Sequence, residues 1–120
     1  GTLTGPITVT PTGGAVKGNS GSAAQNFNFA HGAVQTITVT GNHTWAFSGW
    51  PGGGTYAELM IVAQNAGAFT ITFPAIRWLK GDGTYSTNFA DLGVTLQATG
   101  LNFFMLMTID GGASVYGRVM

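Results

Sequence analysis

Leu101-Asn102-Phe103-Phe104-Met105-Leu106-Met107-Thr108-Ile109 is the stretch on which the fold turns. In an extended chain successive side chains point to opposite faces, so Leu101, Phe103, Met105, Met107 and Ile109 share one face while Phe104 and Leu106 lie on the other. Both faces ask for cover. Thr55 to Ala63 repeats the pattern, with Leu59 and Ile61 on one side and Met60 and Val62 on the other. Ala68 to Phe73 is one-sided: Phe69, Ile71 and Phe73 oppose Thr70 and Thr72, as in a sheet with one wet face. A small two-layer domain has one interior, so the second apolar face of the two long strands lies under a loop or meets another subunit. The subunit reading is preferred, and it predicts a homo-oligomer whose interface includes part of Met60, Val62, Phe104 and Leu106.

Working outward, short alternating runs recur between glycine turns from Gln25 onward. They predict strands at 26–30, 34–40, 44–48, 55–63, 68–73, 94–98, 101–109 and 114–119. Turns such as Thr40-Gly41-Asn42-His43 and Asp110-Gly111-Gly112-Ala113 suit tight hairpins, and tight hairpins make antiparallel neighbours. No stretch offers a helical stripe, and no fixed internal period points to a solenoid or propeller. The expected fold is all-β, a single antiparallel β-sandwich or jelly-roll-like domain over residues 25–120. Residues 1–24 read as an extended Gly/Thr/Pro-rich arm or connector, with Ile7-Thr8-Val9-Thr10 able to add an edge strand.

Composition narrows the function. The chain has 120 residues, 20 of them glycine, and only 7% are charged: four cations and four acids that cancel to a net charge of +0. Four cations cannot neutralise the phosphates that give nucleic-acid binding its affinity, nor do they form a patch for an anionic membrane. The apolar runs fall far short of the ~20 residues that cross a bilayer as a helix, so neither nucleic acid nor membrane insertion is expected. Without cysteine there is no disulfide and no thiolate metal site. Beginning at Gly1 with no basic-then-apolar leader, the chain reads as a piece of a longer polypeptide.

A series of short matches, in order, spans nearly the whole chain. Gly1-Thr2-Leu3-Thr4-Gly5-Pro6 is followed by Gln35-Thr36-Ile37-Thr38-Val39-Thr40, Gly49-Trp50-Pro51 and Phe73-Pro74-Ala75-Ile76-Arg77-Trp78. Asp110-Gly111-Gly112 and Tyr116-Gly117 close the series. In this order and spacing the sequence resembles the C-terminal domains of bacteriophage tail fibres and related virion appendage proteins. It departs from them where Val115 stands in place of a tryptophan, and in the stretch from Leu79 to Thr87, which lacks the expected proline. The resemblance implies a non-enzymatic structural part of the virion, usually trimeric, sited at the host-contacting tip and joined to other virion proteins. Its partner there would be a host cell-surface glycan or protein receptor. The alternatives are a capsid decoration or head-fibre protein, and a non-viral carbohydrate-binding module.

No constellation points to catalysis. His31 and His43 both fall at predicted turns, where exposed histidines are ordinary, and no G-x-S-x-G frames a serine. Glu58, Asp82, Asp91 and Asp110 are too few and too scattered for a glycosidase pair. The loop Lys80-Gly81-Asp82-Gly83 holds one carboxylate where a calcium loop spaces several, so neither metal nor cofactor is expected. The aromatic residues near glycine-rich loops are better candidates, because exposed rings stack on the apolar faces of sugars. Trp50, Arg77, Trp78, Lys80, Asp82 and Tyr85 are accordingly the expected receptor-binding residues, centred on the loop from Arg77 to Thr87; the alternative is that Trp50 and Trp78 cap the core, Arg77 and Lys80 only solubilise an edge and Asp82 only shapes the turn.

Overall fold

Alternation between glycine turns does produce strands along most of the chain. The computed structural model describes residues 14–120, about 50% in strands and 9% in short 3-10 turns. The strands are β1 (Gly14–Asn19), β2 (Gln25–Asn28), β3 (Val34–Thr38), β4 (His43–Ser48) and β5 (Gly53–Gln64). After them come β6 (Ile71–Thr72), β7 (Arg77–Leu79), β8 (Tyr85–Ser86), β9 (Leu101–Asp110) and β10 (Tyr116–Val119). A seven-stranded sheet runs β1-β3-β5-β9-β10-β7-β8, and a three-stranded sheet runs β2-β4-β6.

Strand direction overturns the expected antiparallel sandwich or jelly roll. β1, β3 and β5 are parallel to one another, as are β2, β4 and β6, and β7 runs parallel to β10. Among the described residues only β5 with β9, β9 with β10 and β7 with β8 pair antiparallel. The large sheet is therefore mixed and the small one wholly parallel. From β1 to β6 the chain alternates between the two sheets and comes back one place further along each time. Gly14 faces Val34, and Gln25 faces Trp45, each twenty positions on. That is the stacked, solenoid-like arrangement against which the missing period had argued; the second step is longer, which hides the repeat.

The reason lies in the turns. Glycine and asparagine say where a chain bends, not whether it folds back within its sheet or crosses to the other layer. At Thr40-Gly41-Asn42 it crosses, and the crossings stack. The Ser20 hydroxyl accepts from the Thr40 N–H at 3.0 Å, the Thr40 hydroxyl accepts from the Gly21 N–H at 2.8 Å, and Asn42 Oδ1 accepts from the Thr70 N–H at 2.8 Å. A Cβ on Gly41 would stand 2.8 Å from the Gly21 carbonyl oxygen, so glycine is needed here for close approach.

Between the layers, one residue of each alternating pair is buried: Ile37 on β3, Leu59 and Ile61 on β5, Phe104 and Leu106 on β9, Phe27 and Trp45 on the smaller sheet. Trp45 meets Phe104 edge-on with centroids 5.1 Å apart, joining the two sheets. Other segments also differ from expectation. Residues 14–19, placed in the arm, form an edge strand of the large sheet, while the strand expected at 7–10 lies outside the described residues. Residues 94–98 form no strand, because the buried Asn102 amide occupies the Gln97 backbone, accepting from its N–H at 2.6 Å and donating to its carbonyl at 3.1 Å. Phe69 is 42% exposed, since only Ile71 and Thr72 of its predicted strand pair with β4.

Candidate functional site

β7, only three residues long, sends Trp78 inward and Arg77 outward. Trp78 is 1% exposed and packs edge-on against Phe73 at 5.1 Å and Phe89 at 4.9 Å, so it belongs to the core and not to a receptor surface. Arg77 lies over the rings of Tyr85 and Tyr116, 5.2 and 5.6 Å from their centroids, and donates to the Tyr116 hydroxyl at 3.1 Å. That hydroxyl, with Tyr85 beside it, raises the guanidinium pKa above its ordinary value. Tyr85 is half exposed, but it stands edge-on to Tyr116 and serves this cluster.

Beyond Leu79 the chain turns back into β8. The Lys80 N–H donates to the Thr84 carbonyl at 3.0 Å, and Gly81 and Gly83 hold φ of 84° and 90°, which glycine adopts without strain. Asp82 organises the turn: its Oδ1 accepts from the Thr84 hydroxyl and from the Thr84 N–H. Those bonds favour the ionised form and hold its carboxyl below the ordinary carboxylate pKa. After β8, Asn88 caps a 3-10 turn at Phe89–Leu92 by accepting from the Ala90 N–H, and Phe89 plugs that turn into the aromatic core.

The hairpin, the end of the 3-10 turn with the segment after it, and the end of β10 border a half-open cleft of about 460 Å³, within the range of roughly 300–1,000 Å³ usual for ligand sites. Leu79, Lys80, Gly81, Gly83 and Thr84 line it from the hairpin, Leu92 from the 3-10 turn, Val94 from the next segment, and Arg118 and Val119 from β10. Of the six expected receptor residues, the structure brings only Lys80 to this cleft. Arg77, Asp82 and Tyr85 brace the surrounding hairpin, and Trp78 is buried. Trp50 is partly buried against Phe29, with centroids 5.6 Å apart, and touches the Gly112 turn at the far end of β10. Arg118 was missed, although it is one of only four cations in the chain. Its neighbourhood depends on the parallel pairing of β10 with β7, which no local pattern announces.

Comparison with protein-family models, curated proteins and solved structures finds no match to the chain.

The expected oligomer face also needs correction. Phe104 and Leu106 are fully buried and sit beside Ile61 and Leu59 in register, whereas Met60 and Val62 lie opposite Met105 and Phe103 on the outer face. The four residues named for one interface thus belong to two different faces. On the outer face, Val34, Leu101 and Phe103 are 41%, 55% and 38% exposed. Among the described residues no group of three His, Asp or Glu side chains gathers to hold a metal ion, and no helix is long and apolar enough to cross a membrane.

Proposed function

We propose that this chain is the distal, host-contacting domain of a bacteriophage tail fibre, a structural part of the virion that assembles as a homotrimer and binds a receptor on the cell surface. The observation that supports this best is the outer face of the large sheet. Met60 and Val62 of β5 and Phe103 and Met105 of β9 form an uncharged apolar band on the face turned away from the core. A continuous apolar surface of this kind marks a contact with another protein. Further copies of the chain suit it, because an uncharged apolar band can meet the same band of another copy without burying an unpaired charge. Trimeric assembly and the phage setting come from the sequence resemblance. The cleft at the β7–β8 hairpin supplies the receptor contact.

Light scattering with an in-line mass measurement, together with binding of a fluorescent fusion to bacterial cells, tests the proposal. A species near three times 12.3 kDa that binds cells is the expected result. A stable monomer across concentrations would overturn the assembly. A trimer that binds phage capsids and no cells would transfer the chain to the decoration class.

A further inference from the structure

We infer that the cleft at the β7–β8 hairpin binds an anionic group, a carboxylate or a phosphate, carried on a saccharide or polyol chain, with Lys80 and Arg118 as its counter-charges. The inference specifies the ligand of the receptor site proposed above, and takes from that reading only the host surface as the ligand's source. Three observations support it. First, the lining holds two of the chain's four cations and none of its four carboxylates. The other two cations are engaged elsewhere: Lys17 donates to the Asn26 carbonyl at 2.9 Å and lies over the Phe27 ring, and Arg77 is bound to Tyr116. The Asp82 carboxylate feels the Lys80 charge but spends its Oδ1 on Thr84, so in a chain that is only 7% charged the two exposed cations leave the lining of this cleft positive. Second, the lining contains no aromatic ring. Stacking, the usual way to hold a neutral sugar, is therefore not what this cleft offers, and charge must orient the ligand. Third, Leu79, Leu92, Val94 and Val119 give aliphatic surface for the carbon skeleton of such a chain, while the bare backbone at Gly81 and Gly83 leaves room for close approach.

Titration of the isotope-labelled, assembled protein with three probes tests this: a hexuronic-acid oligosaccharide, a glycerol-phosphate oligomer and a neutral glucose oligosaccharide of matched length. At least one anionic probe should move the amide signals of Gly81, Gly83 and Arg118, and the neutral probe should not; which anionic probe acts tells carboxylate from phosphate. Binding should weaken as salt rises. Both Lys80 and Arg118 are exposed, so Lys80→Gln and Arg118→Gln should fold normally and each weaken binding about tenfold. Equal binding of the neutral probe, no shift at the cleft with either anion, or undiminished affinity in both variants would overturn the inference. Failure here separates from failure of the host reading. Wild-type fusion that binds cells while neither anion enters the cleft leaves host attachment standing, and anion binding without any cell binding removes the host reading alone.

Discussion

Two residues apart on β4, His43 and Trp45 close a buried hydrogen bond in which the indole N–H donates to Nε2 at 2.8 Å. The histidine expected at an exposed turn is instead 5% exposed. Because Nε2 accepts, the ring proton sits on Nδ1 and donates to the Gly41 carbonyl at 2.9 Å, so one side chain ties the stacked turns to the core. His43→Leu strands the buried indole donor and should cost about 1–3 kcal/mol in denaturant unfolding. Adding Trp45→Phe removes the stranded donor along with part of the ring packing, and the double change should cost less than the sum of the single ones. A sequence reader sees Asn-His-Thr beside a glycine and infers exposure, because turn composition carries no information about the layer stacked above it.

At the scale of elements, β5 and β9 explain both the success and the failure of the sequence reading. Their two apolar faces are plain in the sequence, but which face turns inward is not. Pairing of Leu59 with Leu106 and of Ile61 with Phe104 assembles the inner face, and the aromatic side chains of the smaller sheet close over it. Phe104→Asp therefore buries an uncompensated carboxylate and should unfold the domain. Met105→Asp, one position along on the outer face, should leave the melting temperature of the protomer close to wild type while dissociating the proposed trimer; circular dichroism and light scattering on the pair check this contrast. β7 and β8, three and two residues long, were not among the predicted strands, since an alternation cannot be read over so few positions, although the glycine turn between them marked a hairpin or loop. The candidate site suffered most from this: Lys80 was found through its glycine turn, whereas Arg118 reaches the same cleft only through the β7–β10 ladder.

For the whole molecule, stability should be flat across the middle of the pH scale and fall at both ends. Asp110, which accepts from the Ser114 N–H and from the Thr108 hydroxyl, and Asp82, which accepts from Thr84, have folded-state pKa values below their ordinary ones. Their contribution is complete above the unfolded carboxylate value and is lost as pH falls through the lower folded value, so acid loss sets in below about pH 4. Tyr56 donates to Glu58 and has its pKa raised. That contribution is present below the unfolded value of about 10 and is lost as pH rises through the folded one. Melting temperatures measured from pH 3 to 11 check the profile, and repeating them at low and high sodium chloride should show little difference, because so few charges exist to be screened. A large salt shift would contradict packing as the main source of stability.

By itself the sequence determined that the chain is strand-rich, that its surface is polar with few ions, where most turns fall, and that two long strands present apolar residues on both sides. Each of these follows from composition or from the two-residue period of an extended chain, which are local properties. Only the tertiary structure decided that the turns at Ser20-Gly21 and Thr40-Gly41-Asn42 carry the chain across layers, making neighbours parallel. It alone decided that Trp78 is core, and that Lys80 and Arg118 share a cleft. The parallel pairings arise from contacts between residues about twenty or more positions apart, and the same alternation of side chains satisfies parallel and antiparallel ladders alike.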